Sequence, residues 1–370
     1  MWLKNLSITN FRNIAEAQIE LSEGINAFVG ENGMGKTNVL DAIYYLSFCK
    51  SQSGAPDAYV IRHDADFFAI QGEYVSTEKG NMSEHILCSL KRGGRKRVKR
   101  GAKFYNKLSE HIGAVPLVMI SPADADLVSE GGDARRRFMN SVISQYDAAY
   151  LASAMRYERA LKQRNALLRE SSEPDEAIMD VLEDMMSADA QVICDARRAY
   201  AEGFAPIFRE LYSQISGRDA ELAQVEYSIQ TQPSDLREKL RTMRERERIV
   251  GHTLYGPHRD DLLLTLDGYA IKREGSQGQI KTFFVSMKLS QFLFLKRTIA
   301  GRIPILLLDD IFDKLDAGRV ERIIRLVTQS EFGQIFITDT NRGHLDTILA
   351  ASAQGYRLFS VADGILNGCE

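Results

Sequence analysis

A glycine-rich run that follows a short apolar strand and opens a helix is the strongest constraint on this chain. Residues Gly30–Thr37 read Gly-Glu-Asn-Gly-Met-Gly-Lys-Thr and match the phosphate-binding pattern GxxxxGK[ST]. The run lies between the predicted strand Ile25–Val29 and the predicted helix Thr37–Phe48. Its glycines let backbone N–H groups turn toward phosphates, and the helix N-terminus adds a positive dipole end. A glycine-rich turn with a chance lysine is the alternative. The predicted nucleotide-binding residues are Gly30, Glu31, Asn32, Gly33, Met34, Gly35, Lys36 and Thr37.

A pair of carboxylates far along the chain predicts the second half of this site. The apolar strand Ile305–Leu308 is followed directly by Asp309 and Asp310. P-loop ATPases hold Mg²⁺ between the loop hydroxyl and an acid at the end of a neighbouring strand, so we predict that Thr37 and Asp309 bind Mg²⁺. Lys36 and Asp310 are the predicted catalytic residues, Lys36 on the phosphates and Asp310 on the attacking water. The alternative is an ordinary strand that ends in a polar turn.

Three further segments narrow the class, because P-loops also serve kinases, GTPases and helicases. Ser276–Gln279 has small residues at the start of a predicted helix, Lys281–Thr298, which suits a loop that binds a γ-phosphate, although a flexible polar turn is the alternative. Asp313–Asp316 follows the acidic pair at the position of an ABC-ATPase D-loop, and Phe336–Thr340 ends the next strand at the switch position. The predicted contacts to nucleotide in these segments are Ser276, Gln277, Gly278, Gln279 and Asp316.

The order of strand and helix patterns predicts an α/β ATPase lobe with an antiparallel β subdomain and an inserted helical arm. Residues 1–133 form the first part of the lobe, with the P-loop and the antiparallel strands. Residues 134–250 form the arm, in which strand patterns vanish and helical periodicity takes over. Residues 251–370 complete the lobe with the signature, the acidic pair and the D-loop.

Composition restricts the possible partners. The net charge is −3, so any surface for DNA must be local and balanced by acid elsewhere. The four cysteines form no CxxC pair, which disfavours a zinc site or a disulfide framework. We find no signal-peptide pattern and no apolar run of about 20 residues, so we expect a cytoplasmic protein without a membrane partner.

The candidate surface for DNA is a basic hairpin around the Gly93-Gly94 turn. Residues 89–103 hold eight basic side chains and no acid, and such density could track a phosphate backbone without reading bases. A solvated, charged edge hairpin is the alternative. Arg135–Arg137 could form a second patch or could make salt bridges inside the body, whereas Arg237–Arg248 mixes both charges and suits a solvated helix face. The predicted DNA contacts are Lys91, Arg92, Arg95, Lys96, Arg97, Lys99, Arg100 and Lys103.

Taken with their order, these motifs resemble the RecF family, bacterial recombination proteins whose body is similar to the heads of SMC-like ATPases. The resemblance covers nearly the whole chain. It is carried by the P-loop and by Asn10–Asn13, Ser121–Asp124, Arg135–Phe138, Gly256–Asp261 and Leu306–Asp310.

The resemblance implies an SMC-like ABC-ATPase head that binds ATP and Mg²⁺ and forms an ATP-dependent homodimer. Each P-loop would face the partner's signature loop, and Arg12 would contact nucleotide. ATP would close the dimer on duplex or gapped DNA and weak, DNA-stimulated hydrolysis would release it, with RecO- and RecR-like mediators as partners.

Departures from the pattern bear on the rate of hydrolysis. Ile280 and Lys281 stand where an arginine is expected, and the D-loop begins with Asp313 instead of serine. No glutamine lies near Ser121–Asp126, and Asp339 stands at the switch position instead of histidine. The alternative functions are the ATPase subunit of a transporter and a binding protein for which ATP is a structural ligand.

Overall fold

The alternating and apolar runs of the sequence form strands. The computed structural model describes residues 1–76, 82–170, 175–217, 221–311, 317–328, 331–340, 342–351 and 355–368. The strands are β1 (Trp2–Phe11), β2 (Ile14–Glu20), β3 (Ile25–Val29), β4 (Phe67–Ser76), β5 (Met82–Lys91), β6 (Arg97–Arg100), β7 (Lys103–Phe104), β8 (Leu117–Ile120), β9 (Ala223–Ser228), β10 (Asp261–Leu266), β11 (Tyr269–Ala270), β12 (Ile305–Asp309), β13 (Ile335–Asp339), β14 (Tyr356–Ala362) and β15 (Ile365–Gly368).

Helices alternate with the strands at both ends of the chain and dominate the middle. Gly217 ends the long helix α5 with φ +67° and donates its N–H to Ser213 O. The helices are α1 (Lys36–Phe48), α2 (Asp126–Ser129), α3 (Gly132–Ile143), α4 (Ala148–Glu170), α5 (Glu176–Ser216), α6 (Leu236–Thr242), α7 (Arg244–Val250), α8 (Ile271–Glu274), α9 (Gln277–Thr298), α10 (Ala317–Val327) and α11 (Arg342–Ala351).

A mostly parallel sheet positions the P-loop. The chain divides into unit 1, residues 1–124 with 291–370, and unit 2, residues 125–290. In unit 1 one sheet has the strand order β15-β14-β3-β13-β12-β8, in which only the β14–β15 pair is antiparallel. The carboxyl ends of its parallel strands meet at one edge, which is where ligands bind in open α/β sheets. The P-loop follows β3 at this edge.

A second sheet and a buried helix complete unit 1. This sheet is antiparallel, as the sequence predicted, and its strand order is β2-β1-β4-β5-β6-β7. Helix α1 packs against both sheets of the unit, and most of its side chains are buried. A helix that is apolar around most of its circumference has to lie inside a core. The P-loop therefore sits at the start of a helix that is fixed on both sides.

The sequence analysis missed a strand in the part of unit 2 that was expected to be helical. The stretch 134–250 was expected to be helical, yet Ala223–Ser228 forms β9 and pairs antiparallel with β10 in a sheet of order β11-β10-β9. The run alternates buried and exposed side chains, but it is only six residues long and stands among helices, so helical periodicity concealed it. The division of the chain at residues 133 and 250 stays a prediction.

Buried ion pairs hold the helices of unit 2 together. Arg164 on α4 is fully buried and lies 2.9 Å from Glu183 Oε1 and 2.6 Å from Glu247 Oε2. It also donates to Thr253 Oγ1 over 2.9 Å and to Leu240 O over 3.1 Å. A buried cation is tolerated only when its charge and its donors are satisfied in this way.

Replacement of Arg164 by methionine should destabilise the protein by about 3–5 kcal/mol, because buried Glu247 loses its pair with Arg164 and Glu183 keeps only Arg244. The free energy of unfolding from urea denaturation measures the effect. Lys162→Met is the matched control, since its pair with Glu158 is exposed and should contribute at most about 1 kcal/mol. A similar effect in both variants would contradict the assignment of stability to the buried cluster.

Candidate functional site

The P-loop conformation depends on close contacts that exclude side chains. A Cβ atom on Gly30 would lie 2.2 Å from the carbonyl oxygen of Val361 in the neighbouring strand β14. Gly33 and Gly35 have φ of +82° and +112°, in the region that favours glycine. A Cβ on Gly35 would also lie 2.7 Å from the Asn13 side chain. The loop is therefore specified both by backbone angles and by its neighbours.

Asn13 supports the P-loop from outside. Its Nδ2 donates to Met34 O over 3.1 Å, and its Oδ1 accepts from Asn38 Nδ2 over 2.8 Å. The backbone N–H of Gly364 donates to the same Met34 carbonyl over 2.9 Å. Sequence reasoning placed Asn13 in a characteristic run but gave it no role, because its partners lie more than 20 positions later, in the loop and on α1.

Lys36 folds back onto the loop that it follows. Its Nζ donates to Gly30 O over 2.6 Å and to Glu31 O over 2.9 Å. Burial lowers the pKa of the Lys36 ammonium. The negative charges of Asp310, Asp309 and Asp339 partly oppose that shift. The lysine is thus held among carboxylates at the phosphate end of the loop.

Thr37 and Asp309 meet as predicted for a shared cation site. Thr37 Oγ1 donates to Asp309 Oδ1 over 2.9 Å and lies 3.1 Å from Oδ2. Thr338, at the end of β13, donates its hydroxyl to Asp309 Oδ1 over 2.7 Å. Burial raises the pKa of Asp309, and the two hydroxyl donors oppose the shift. A hydroxyl and a carboxylate oxygen are ligands that Mg²⁺ prefers, so these two residues could hold the ion.

Asp310 leaves the strand in a strained turn. Its φ is +49°, which is uncommon for a residue with a side chain. Its N–H donates to Thr338 Oγ1 over 3.0 Å. Such outliers persist where surrounding contacts enforce them and cluster at active sites. The charges of both Asp309 and Asp310 act on the Lys36 ammonium, so the turn keeps the second carboxylate at the phosphate end of the loop.

Arg12 is held by an acid on the helix that follows the P-loop. Its Nη2 donates to Asp41 Oδ2 over 3.1 Å, to Ser51 Oγ over 2.8 Å and to Ser53 Oγ over 3.0 Å. Arg12 itself has φ +55°. The structure places Arg12 beside α1, and its predicted contact with nucleotide stays a prediction.

Gln52 is a polar residue of this edge that the sequence analysis missed. Its Nε2 donates to Ser121 Oγ over 3.1 Å, and Ser121 follows β8 directly. In the parallel pair, Ile120 lies opposite Leu308, so Ser121 lies beside Asp309. The sequence analysis looked for a glutamine close to Ser121–Asp126 and found none. The glutamine that contacts this turn, Gln52, comes 69 positions before Ser121 in the chain.

The signature loop forms a capping box at the start of α9 in unit 2. The Ser276 Oγ accepts from the N–H of Gln279 over 3.3 Å, and the Gln279 Oε1 accepts from the N–H of Ser276 over 2.9 Å. This reciprocal pair satisfies two backbone donors at the helix terminus. A side chain that accepts in this way can still direct its hydroxyl proton outward. Asp316 and the rest of the predicted D-loop lie outside the described residues.

Some of the predicted DNA contacts in the basic hairpin are engaged inside the protein. Lys96 Nζ lies 2.7 Å from Asp57 Oδ2, and Arg100 donates twice to Glu84 over 2.8 Å. Arg92 donates to Ala65 O over 3.0 Å, although its side chain is exposed.

Two cations of β6 lie against an aromatic ring of β7. The Arg97 guanidinium lies 4.2 Å from the centre of the Phe104 ring, and Lys99 Nζ lies 5.8 Å from the same point. Both contacts are in the range of a cation–π interaction. Lys91, Arg95 and Lys103 are exposed.

The string Gly256–Asp261 acquires a structural role within unit 2. Asp260 is fully buried and lies 3.6 Å from Arg197 of α5, and Arg197 also donates to Pro257 O over 2.7 Å. Asp261 accepts two hydrogen bonds from Arg135 of α3, over 2.7 and 2.8 Å. The string therefore joins two helices through charged hydrogen bonds.

These contacts indicate that the arginine run 135–137 makes salt bridges inside the body of unit 2, which was one of its two predicted roles. Arg136 donates to Asp260 O over 2.7 Å and pairs with Asp133. Arg137 alone of the run is exposed. The run is thus built mainly into the body of unit 2.

Sequence relatives agree with these observations. The protein is 51% identical to the "DNA replication and repair protein RecF" of Phocaeicola vulgatus over 98% of this chain and 97% of the relative. It is 49% identical to the Bacteroides fragilis protein of the same name over 100% of this chain and 99% of that relative. A family model described as an AAA ATPase domain matches residues 1–112.

Solved structures show the same architecture. The chain resembles a structure of the recombination mediator RecF with ATP at a TM-score of 0.86 and 27% identity, covering 100% of this chain and 98% of that one. The Smc head domain of Pyrococcus furiosus matches at a TM-score of 0.59 and 16% identity, covering 100% of this chain and 96% of that one.

The fold and the site define a P-loop ATPase of the ABC type with the head architecture of SMC proteins. Among the residues that the structure describes, no helix combines the length and the apolar character that a membrane span requires. The same part of the chain holds no cluster of three or more metal-ligating His, Cys, Asp or Glu side chains. The chain belongs to the RecF family of DNA replication and repair proteins.

Replacement of Asp309 by asparagine should stabilise the nucleotide-free protein at neutral pH. Because burial raises the pKa of Asp309 above 3.8, the folded state binds this proton more tightly than the unfolded chain does. The contribution of Asp309 to the free energy of unfolding should therefore fall as the pH rises from about 3.8 through the raised pKa. Asp309→Asn should abolish this loss of stability. Urea midpoints between pH 4 and 8 measure it, with the exposed Glu16→Gln as the control. A lower midpoint for Asp309→Asn throughout this range would contradict the prediction.

Proposed function

We propose that this protein binds ATP with Mg²⁺, dimerises around the nucleotide on duplex or gapped DNA, and leaves the DNA after slow hydrolysis. The observation that carries the proposal is the meeting of Thr37 with Asp309 beside the P-loop lysine. This arrangement supplies a cation site, a phosphate loop and an adjacent second carboxylate on one edge of a sheet. P-loop ATPases require these three elements together.

Each group has a separate task in the proposed reaction. Backbone N–H groups of residues 30–36 and the α1 N-terminus bind the phosphate oxygens. Lys36 exchanges its loop carbonyls for the β- and γ-phosphates. Thr37 and Asp309 hold Mg²⁺, which when bound neutralises charge on the phosphates. Asp310 orients the water that attacks the γ-phosphate and accepts its proton.

Slow turnover is the expected regime. The end of β13 carries Thr338 and Asp339, so no histidine stands at the switch position to complete the arrangement around the γ-phosphate. Thr338 is engaged with Asp309 and with the Asp310 backbone. We therefore propose a weak ATPase that DNA stimulates, in which ATP serves mainly as a reversible link between two copies.

The signature loop supplies the second contact to ATP, across the dimer. Its capping box leaves the Ser276 hydroxyl proton and the helix N-terminus of α9 for a γ-phosphate. Arg12 and Asp316 are the further proposed nucleotide contacts. Because each copy has one P-loop and one signature loop, two ATP molecules join two copies in a closed, symmetric dimer.

The solved relatives are described as recombination mediators in the RecFOR pathway, bound to ATP or an ATP analogue. We propose the same setting for this protein, with RecO- and RecR-like mediators as partners in the cytoplasm. The transporter alternative is not favoured, given full-length relatives that act in DNA replication and repair. A protein that only binds ATP remains the alternative to an ATPase, and measurement of turnover separates the two.

Asp310→Asn should retain ATP binding but lower the turnover rate by about 100-fold, because the residue that activates water is replaced. With ATP and Mg²⁺ this variant should shift from monomer to dimer, as measured by light scattering with and without duplex DNA. The double variant with Ser276→Arg should stay monomeric, because the signature loop can no longer accept the γ-phosphate.

Equal turnover rates in wild type and Asp310→Asn would remove Asp310 from catalysis and favour the ATP-binding alternative. A mass that does not respond to nucleotide in either variant would refute the proposed dimer.

Neutralisation of Arg97, Lys99 and Lys103 by glutamine should weaken binding to duplex DNA. The slope of log K against log salt should fall by about 2–3, at roughly 0.9 for each phosphate that the variant no longer neutralises. The control replaces an ion pair of the same sheet instead, Arg100→Gln with Glu84→Gln, which leaves the net charge unchanged. The affinity of this control should stay close to wild type. Unchanged affinity and slope in the triple variant would show that DNA binds elsewhere.

A further inference from the structure

A carboxylate next to the long helix of unit 2 is bonded to the signature loop. Gln279 Nε2 donates to Glu221 Oε1 over 3.1 Å. The hydroxyl of Tyr212, a buried residue on α5, donates to Glu221 Oε2 over 2.8 Å. One carboxylate thus accepts from the signature loop with one oxygen and from the long helix with the other.

This contact determines which way the Gln279 amide points. A carboxamide has a donor end and an acceptor end, whereas a carboxylate only accepts. Because Glu221 can only accept, the Nε2 end of Gln279 faces it, and the Oε1 end is left for the N–H of Ser276 at 2.9 Å. In the reversed orientation two donors would face each other at Ser276, and the oxygen of Gln279 would face a carboxylate.

The amide orientation in turn fixes the nucleotide-facing serine. With Gln279 bonded to the Ser276 backbone, the Gln279 N–H donates to the Ser276 Oγ over 3.3 Å. That contact places the hydroxyl oxygen at the N-terminus of α9. Gln279 has both ends of its side chain engaged inside the unit, so the Ser276 hydroxyl and the backbone N–H groups of Gln277 and Gly278 are the groups of the loop that would contact a phosphate.

We propose that Glu221 is a positioning residue for the signature loop, which sets the Gln279 amide so that Ser276 is held ready for the γ-phosphate bound to a second copy. This inference rests on the proposed ATP-dependent dimer. It also gives the long helix α5 a direct mechanical link to the nucleotide, through Tyr212 and Glu221.

An exchange of the two side chains tests the proposal in the Asp310→Asn background. Gln279→Glu cannot donate to Glu221 and should weaken ATP-driven dimerisation by about tenfold or more, since a charge-assisted hydrogen bond is replaced by repulsion. Adding Glu221→Gln should restore dimerisation to within about threefold of the parent. In this double variant the amide introduced at position 221 can donate to the carboxylate introduced at position 279, which can still accept from the Ser276 N–H. Light scattering against ATP concentration measures dimerisation.

Two controls separate this role from a general loss of structure. The affinity of the monomer for ATP, measured at protein concentrations too low for dimers, should be unchanged in Glu221→Leu, because Glu221 lies in unit 2 and the P-loop lies in unit 1. Glu221→Leu should weaken dimerisation about as much as Gln279→Leu, and the two together should weaken it no further, because Glu221 acts through Gln279.

The variants distinguish failure of the proposed function from failure of the positioning role of Glu221. If Ser276→Arg dimerises with ATP as the parent does, the signature loop does not work across a dimer and the proposed function fails. If Ser276→Arg stays monomeric while Glu221→Leu dimerises normally, the positioning role alone is overturned. Failure of the exchanged pair to restore dimerisation would also overturn the positioning role.

Discussion

The hydrogen bond between Thr37 and Asp309 joins residues 272 positions apart, and the rest of the site depends on the strand order that makes it possible. Strand β13 lies between β3 and β12 and contributes Thr338 to the same carboxylate. Parallel pairing brings the ends of all three strands to one edge. A shift of any of these strands would separate the hydroxyl of Thr37 from the carboxylate of Asp309. The proposed cation site can therefore form only when the strands pair in this register.

Unit 2 is organised by buried charge instead of by a large sheet. Arg164 and Arg197 each hold separate segments by salt bridges and by bonds to backbone carbonyls. Such pairs are costly to desolvate, and they contribute geometric specificity more than net stability. The Gly256–Asp261 string belongs to this network. Its characteristic sequence thus reflects the need for acids and a carbonyl at fixed places between helices.

Local pattern was enough to predict the P-loop, the apolar strands and the helix after them, because each is encoded in a short window. The meeting of Thr37 and Asp309 also followed, since paired strand ends are a property of parallel sheets. Side-chain partners across the fold could not be read in this way. Lys96 was predicted to contact DNA, but it forms a salt bridge with Asp57, which is distant in the sequence. Gln52 likewise contacts a turn that follows it by 69 positions. The strand Ala223–Ser228 was too short to stand out among helices.

The neighbours of β3 have a consequence for how this protein is made. Both strands that pair with β3, β13 and β14, come more than 300 positions after it. The turn after β14 also bonds to the P-loop at Met34. During synthesis on a ribosome, β3 must therefore wait, together with the face of α1 that packs on the parallel sheet, until the late strands emerge. Asp309, which comes 272 positions after Thr37, also emerges late, so the proposed cation site cannot form until most of the chain has been made.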